Sequence, residues 1–254
     1  MEFIKIFNKL ANRHHRYKVF SDFVTMSAIS LNNSFYKDDK LESEYMTLIN
    51  KYNKDERMLF PLLLSEVINE INDEPKDVLG DLYMKLEISN KGSGQFFTGS
   101  AISDLISSCL YSKSIKLPEC GFLTLSEPAS GGGSMILSFV KRLINQNINP
   151  ANHLWVQCID IDRTCALMCY IQLTLWNVPA QVIVGDTLRM KFREILYTPA
   201  HRMFNWEYKL KKQQKNINNE EKKVIVKSSD VEINEMPKAQ IIEPNEIIQL
   251  DMFA

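Results

Sequence analysis

The sequence has no apolar run long enough to span a bilayer, and its first residues, MEFIKIFNKLANRHHR, lack the cleavage pattern of a secretory leader. Both absences point to a soluble, cytoplasmic protein with no membrane partner. There is no CxxC pair. Cys109, Cys120, Cys158, Cys165 and Cys169 fall within strand-like or helix-like patterns and are read as reduced, buried, small apolar residues, so no metal site is expected. An excess of charge is missing too: the formal net charge is −1, and any attraction for nucleic acid must come from local clusters. Candidates are RHHRYK, Arg13 to Lys18, and the lysine-rich stretch Lys209 to Lys215, although each also reads as an ordinary solvated face. No internal repeat is evident.

What is present suffices for one good core with a helical annex, because 45% of the 254 residues are hydrophobic. The most informative stretch is FLTLSEPASGGGSM, Phe122 to Met135, where a carboxylate and three consecutive glycines join an apolar strand to a helix. Glycines there permit positive φ and close approach of a ligand to bare backbone, and the helix start offers unpaired N–H groups. The next apolar run, LWVQCID, ends in Asp160 at about the strand–helix–strand distance where a ribose-binding acid belongs. The pattern is not GxGxxG, so it defines a nucleotide-like ligand site without naming the ligand.

Apolar spacing of three and four residues predicts helices in YKVFSDFVTMSAISL and ERMLFPLLLSEVINEI, with Pro61 interrupting or beginning one of them. KLESEYMTLINKY and DVLGDLYMKLEIS are further helices, and the aromatic and methionine stripe of this region reads as core. Strand-like runs number about four: Phe122–Leu125, Leu154–Ile159, Gln181–Val184 and Glu194–Leu196. After Leu210 the chain becomes too polar to bury a core. The expected organisation is a helical region over 1–93, a cofactor domain over 94–210 and a flexible tail over 211–254.

GQFFT (Gly94 to Thr98), EPASGGGS (Glu127 to Ser134), CIDID (Cys158 to Asp162) and VGD (Val184 to Asp186) stand in the order and spacing of adenine-specific DNA methyltransferases. From about Phe20 to Asp186 the chain resembles the type I modification-subunit branch of that family. The resemblance implies an α/β fold: a Rossmann-like S-adenosylmethionine-dependent methyltransferase core, here with a truncated sheet, preceded by a helical region. It implies S-adenosylmethionine as cofactor and DNA as substrate, in restriction-modification or on a mobile element. Thr98 matches the threonine that touches the methionine carboxylate of the cofactor, or else caps the helix beginning near Ser100. Glu127 matches the acid of the glycine loop, which Ala129, Gly131 and Gly133 line. Asp160 matches the ribose-binding acid, with Asp162 capping the helix beyond it. Asp186 matches the acid that accepts from the adenine amino group, or else is a turn residue.

The departures are equally specific. Gly99 replaces the proline that follows the family's threonine. The family's catalytic Asn/Asp-Pro-Pro-aromatic tetrapeptide is replaced by YTPAH, Tyr197 to His201. In a target pocket Thr198 and the Pro199 carbonyl would accept the amino hydrogens and Tyr197 or His201 would stack on the flipped base; otherwise the segment is a turn. A half sheet leaves an edge for a homodimer, a partner subunit or the amino-terminal helices to cover. At the end, QLDMF resembles the peptide by which bacterial proteins dock on the polymerase sliding clamp. Leu250, Met252 and Phe253 would fill an apolar pocket and Gln249 would fix the register, or the tail folds back on the sheet edge. Two functions remain open: adenine methyl transfer, or a non-catalytic cofactor-binding module with an accessory or anti-restriction role.

Overall fold

The computed structural model describes residues 2–86, 99–110, 114–216 and 248–249. It opens with six helices: α1 (Glu2–Ala11), α2 (Arg16–Asn33), α3 (Asp39–Ile49), α4 (Lys54–Arg57), α5 (Leu59–Ile71) and α6 (Val78–Lys85). Their starts carry the expected capping chemistry. Asp38 accepts from Lys40 and Leu41 N–H, Asn53 and Glu56 form a reciprocal capping box, and Asp77 accepts from Gly80 N–H. Pro61 is the third residue of α5, so it begins that helix rather than breaking it.

The remainder alternates: α7 (Ser100–Leu110), β1 (Leu123–Glu127), α8 (Ser134–Asn145), α9 (Pro150–His153), β2 (Leu154–Asp160), α10 (Arg163–Leu175), β3 (Ala180–Asp186), β4 (Lys191–Tyr197), α11 (Pro199–Met203) and β5 (Ile248–Gln249). Strands β1, β2 and β3 are parallel neighbours joined through α8 and α10, and the spatial order of the sheet is β4-β3-β2-β1-β5. Helix α10 is buried on nearly every face from Thr164 to Leu173, as befits a helix apolar all round. It packs on β2 and β3 on one side and on α2, α5 and α6 on the other. One apolar core therefore runs from Phe7, Phe20 and Tyr83 of the helical region to Val156 and Val182 of the sheet.

Strand β4 returns antiparallel to β3, with Gln181 opposite Tyr197 and Asp186 opposite Lys191. The register shifts at Val184/Gly185, where a Cβ on Gly185 would lie 2.7 Å from the Lys191 carbonyl and from the Phe192 ring. Glycine lets β4 close on β3 there. On the other edge β5 pairs parallel with β1, Ser126 opposite Gln249. A helix over 206–216 runs past Leu210, where the polar tail was expected to start. Cys158, Cys165 and Cys169 are buried, but Cys109 and Cys120 are exposed: the helix and loop that carry them present those positions to solvent. Among the described residues no helix is long and apolar enough to cross a membrane.

Candidate functional site

The carboxyl ends of β1, β2 and β3 carry Glu127, Asp160 and Asp186 on successive strands, each staggered by two residues from the next, with Glu127 opposite Cys158 and Asp160 opposite Val184. Between β1 and α8 the loop turns sharply, with Ser130 N–H donating to the Ile159 carbonyl at 2.9 Å and Gly133 N–H to the Ser130 carbonyl at 2.8 Å. Gly131 and Gly133 have φ of 52° and 96°, which side chains rarely adopt. Glu127 Oε1 accepts from Ala129 N–H at 3.1 Å. Asp160 accepts from Gly131 N–H on one oxygen and from Asp162 N–H on the other, both at 2.8 Å. Asp162 caps α10 through Cys165 N–H. Asp186 accepts from Arg189 N–H at 3.0 Å, and Thr187 donates to the Pro128 carbonyl at 2.7 Å, tying the end of β3 to the glycine loop.

Burial raises the pKa of Glu127, against the N–H of Ala129, and the charge of Asp160 adds to the rise. Burial raises Asp160 likewise, opposed by the N–H groups of Asp162 and Gly131. The Ser130 hydroxyl, in the same loop, is buried without a partner. Two desolvated acceptors and an orphan hydroxyl beside positive-φ glycines form a polar cradle with unfilled hydrogen-bonding capacity.

Asp77 and Gln172, which sequence reasoning passed over, hold this loop from behind. Gln172 Nε2 donates to Asp77 at 2.9 Å and to the Gly132 carbonyl at 2.7 Å, while its Oε1 accepts from Leu79 N–H at 3.1 Å. A Cβ on Gly132 would meet the Asp77 carboxylate at 2.6 Å, and one on Gly133 would meet Cys169 Sγ at 3.0 Å. The loop needs its glycines for this packing as well as for an incoming ligand. The available signal was a lone glutamine inside an apolar helix.

The segment expected to hold the target base lies elsewhere. Thr198, Pro199 and His201 sit where β4 ends, beside the start of β3 at Ala180, about 20 Å along that strand from Asp186. Thr198 is fully buried; its hydroxyl donates to the Val178 carbonyl at 2.7 Å and accepts from Ala180 N–H at 2.8 Å. Pro199 opens α11 and is buried. His201 Nδ1 accepts from Trp155 Nε1–H at 3.1 Å, and burial lowers its pKa. These residues are a structural joint at the opposite end of the sheet, because β4 runs antiparallel to β3 and carries them away from the strand ends that hold Glu127, Asp160 and Asp186. Of the other expected residues, Thr98, Leu250, Met252 and Phe253 lie outside the described residues, and Gln249 contributes its backbone to β5.

The basic stretch Arg13–Lys18 is largely engaged internally: His14 and Arg13 face Glu56, Arg16 bonds the Leu86 carbonyl and Asn8, and Lys18 bonds Asp22. Lys209 lies over the Trp206 ring and Lys211 pairs with Glu207.

A parallel strand–loop–helix unit with acids at consecutive strand ends, on a short sheet, is a Rossmann-like S-adenosylmethionine-dependent methyltransferase core. More narrowly, the chain belongs to the N-6 DNA methylase family, whose model matches residues 74–239. Two solved structures are similar. One is a protein of Listeria monocytogenes described as a class I S-adenosylmethionine-dependent methyltransferase, with 11% identity, a TM-score of 0.39, and coverage of 69% of this chain and 55% of that one. The other is the type I restriction-modification methyltransferase subunit of Streptococcus thermophilus, with 18% identity, a TM-score of 0.40, and coverage of 68% and 40%. The chain thus aligns with about half the length of these proteins or less. No curated protein matches it.

The family's cofactor is S-adenosylmethionine, and the cradle fits it. Glu127 and Asp160 offer acceptors that hydroxyl and amino groups can satisfy, and the glycines leave room for a nucleoside against backbone. When bound, the cofactor supplies an activated methyl group on a sulfonium.

Proposed function

We propose that this chain binds S-adenosylmethionine in the glycine-loop cradle and serves as the cofactor-binding part of a DNA adenine amino-group methyltransferase. The observation that carries the reading is the grouping of buried Glu127 and Ser130 with half-buried Asp160, three oxygen-bearing side chains with unmet or costly polar demand around positive-φ glycines. Asp160 takes the ribose hydroxyls, Glu127 the adjacent polar end of the ligand, Asp186 the adenine amino group and Thr98 the methionine carboxylate. Calorimetric titration with S-adenosylmethionine should give one site per chain, and Asp160→Ala should weaken it by at least about tenfold, the loss of a charge-assisted hydrogen bond. Absence of heat at millimolar ligand would remove the reading.

A second reading is favoured by the position of YTPAH. With Thr198 spent on Val178 and Ala180, its hydroxyl is not free to accept from a flipped adenine. In that case the chain is a cofactor-binding accessory module, brought to DNA by its QLDMF tail or completed by a partner subunit. Labelled-methyl transfer to DNA, with and without candidate subunits, separates the two readings. Docking has its own test: a peptide spanning Glu243 to Ala254 should bind purified clamp and lose binding with Leu250→Ala and Phe253→Ala.

A further inference from the structure

The turn between β3 and β4 exposes an unusual surface. Leu188 is 98% and Met190 69% exposed, and Met190 holds a φ of 51°, a conformation that a side chain other than glycine, asparagine or aspartate seldom takes. Phe192 follows at 41% exposure, and Ile161, just past the end of β2 and bonded through its carbonyl by Arg193, is 63% exposed. Between these apolar residues stand Arg189, Lys191 and Arg193, all exposed. Their engagements are slight. Arg189 reaches Asp186 at 3.6 Å with most of its side chain in solvent, Arg193 donates to the Ile161 carbonyl, and Lys191 forms no ion pair among the described residues. Glu194, the acid next to Arg193 along β4, is held by Arg163, which also grips Glu44. The hairpin tip is therefore a net-cationic surface studded with apolar side chains.

Lysine and arginine on an edge strand can simply discourage strand addition. That purpose explains the charges of β4, but it does not explain a fully exposed leucine and a strained methionine in the turn itself. Apolar tips flanked by cations are the chemistry of a wedge that presses on base steps while its cations hold phosphates. The position agrees. Thr187 binds the hairpin to the glycine loop through the Pro128 carbonyl, and Asp186 leads directly into the turn, so whatever docks on Leu188–Arg193 lies at the mouth of the cofactor cradle.

We propose that the β3–β4 hairpin is a DNA-docking wing: Arg189, Lys191 and Arg193 contact backbone phosphates, and Leu188 and Met190 press into a groove of the duplex. The proposal rests on the function above and names the surface that would bring DNA to the cofactor. It also replaces Arg13–Lys18 as the nucleic-acid contact, since those cations are largely engaged internally.

The test is fluorescence anisotropy of the full chain, saturated with S-adenosylmethionine, on a labelled duplex over a salt series. Arg189→Ala with Lys191→Ala should reduce the slope of log K against log salt by about 1.8, roughly 0.9 per lost phosphate contact, and weaken binding about tenfold or more at 0.1 M salt. Leu188→Ala with Met190→Ala should weaken binding severalfold and leave the slope unchanged. Circular dichroism melts check that the variants fold. Unchanged affinity and slope in both variants, or no salt-dependent duplex binding by the parent chain, would overturn the wing. So would sedimentation showing that the variants dissolve a dimer while DNA binding stays intact, which assigns the hairpin to self-association. Calorimetric titration of the same preparation with the cofactor reports separately on the function, so failure of the wing and failure of the cradle are told apart.

Discussion

Glu127 and Asp160 occupy positions that disfavour their ionised forms, since burial raises both, and a neighbouring carboxylate adds to each rise, Asp160 for Glu127 and Asp162 for Asp160. A site that keeps two such acids gives up stability for binding. Glu127→Gln removes one charge while its amide oxygen still accepts from Ala129 N–H. It should raise the melting temperature, by about 2–4 °C for each kcal/mol recovered in a chain of this size, and weaken S-adenosylmethionine. A melting curve and a cofactor titration on the same preparation check both signs; a variant less stable than the parent would show that Glu127 is structural. These acids were legible because each ends an apolar run at a strand's carboxyl end, which is a local pattern. Asp77 and Gln172 were not, since they stand 95 residues apart and their bond forms only when α6 and α10 pack together.

At the scale of elements, strand direction was the feature that local pattern left open. The apolar run Glu194–Leu196 was rightly read as a strand, but a parallel crossover needs a dozen or more residues, and only Thr187 to Met190 separate β3 from β4. So short a connection permits only an antiparallel return, and YTPAH is carried with it to the far end of the sheet. The sequence held that information in loop length rather than in its motif. A consequence is that Thr198 serves stability and not the pocket. Thr198→Val removes the hydroxyl and strands the buried Ala180 N–H and Val178 carbonyl that it serves, which should cost about 2–4 kcal/mol. Cofactor affinity, measured below the lowered melting temperature, should be unchanged. A weakened cofactor with undiminished stability is the result that would restore Thr198 to the site.

For the whole molecule, the joint at one end of the sheet and the cradle at the other respond oppositely to acid. His201 must stay unprotonated at Nδ1 to accept from Trp155, and burial lowers its pKa below the ordinary 6.5. The unfolded chain takes up a proton below about pH 6.5 that the folded chain declines, so stability is fully present above that value and falls as pH drops toward the folded pKa. Asp77, Glu127 and Asp160 have pKa values raised by burial, so the folded chain keeps protons that the unfolded chain has released. Their charge penalty is relieved as pH falls through those raised values toward the ordinary carboxylate range, which opposes the histidine. Urea midpoints should therefore decline on acidification from about pH 6.5 and then flatten as the acids protonate. His201→Gln retains an acceptor for Trp155 but cannot titrate, so the first decline should be shallower in the variant while the later flattening persists. Parallel curves for parent and variant would mean that the joint holds no proton-sensitive group, and the acid response would then belong to the cradle alone.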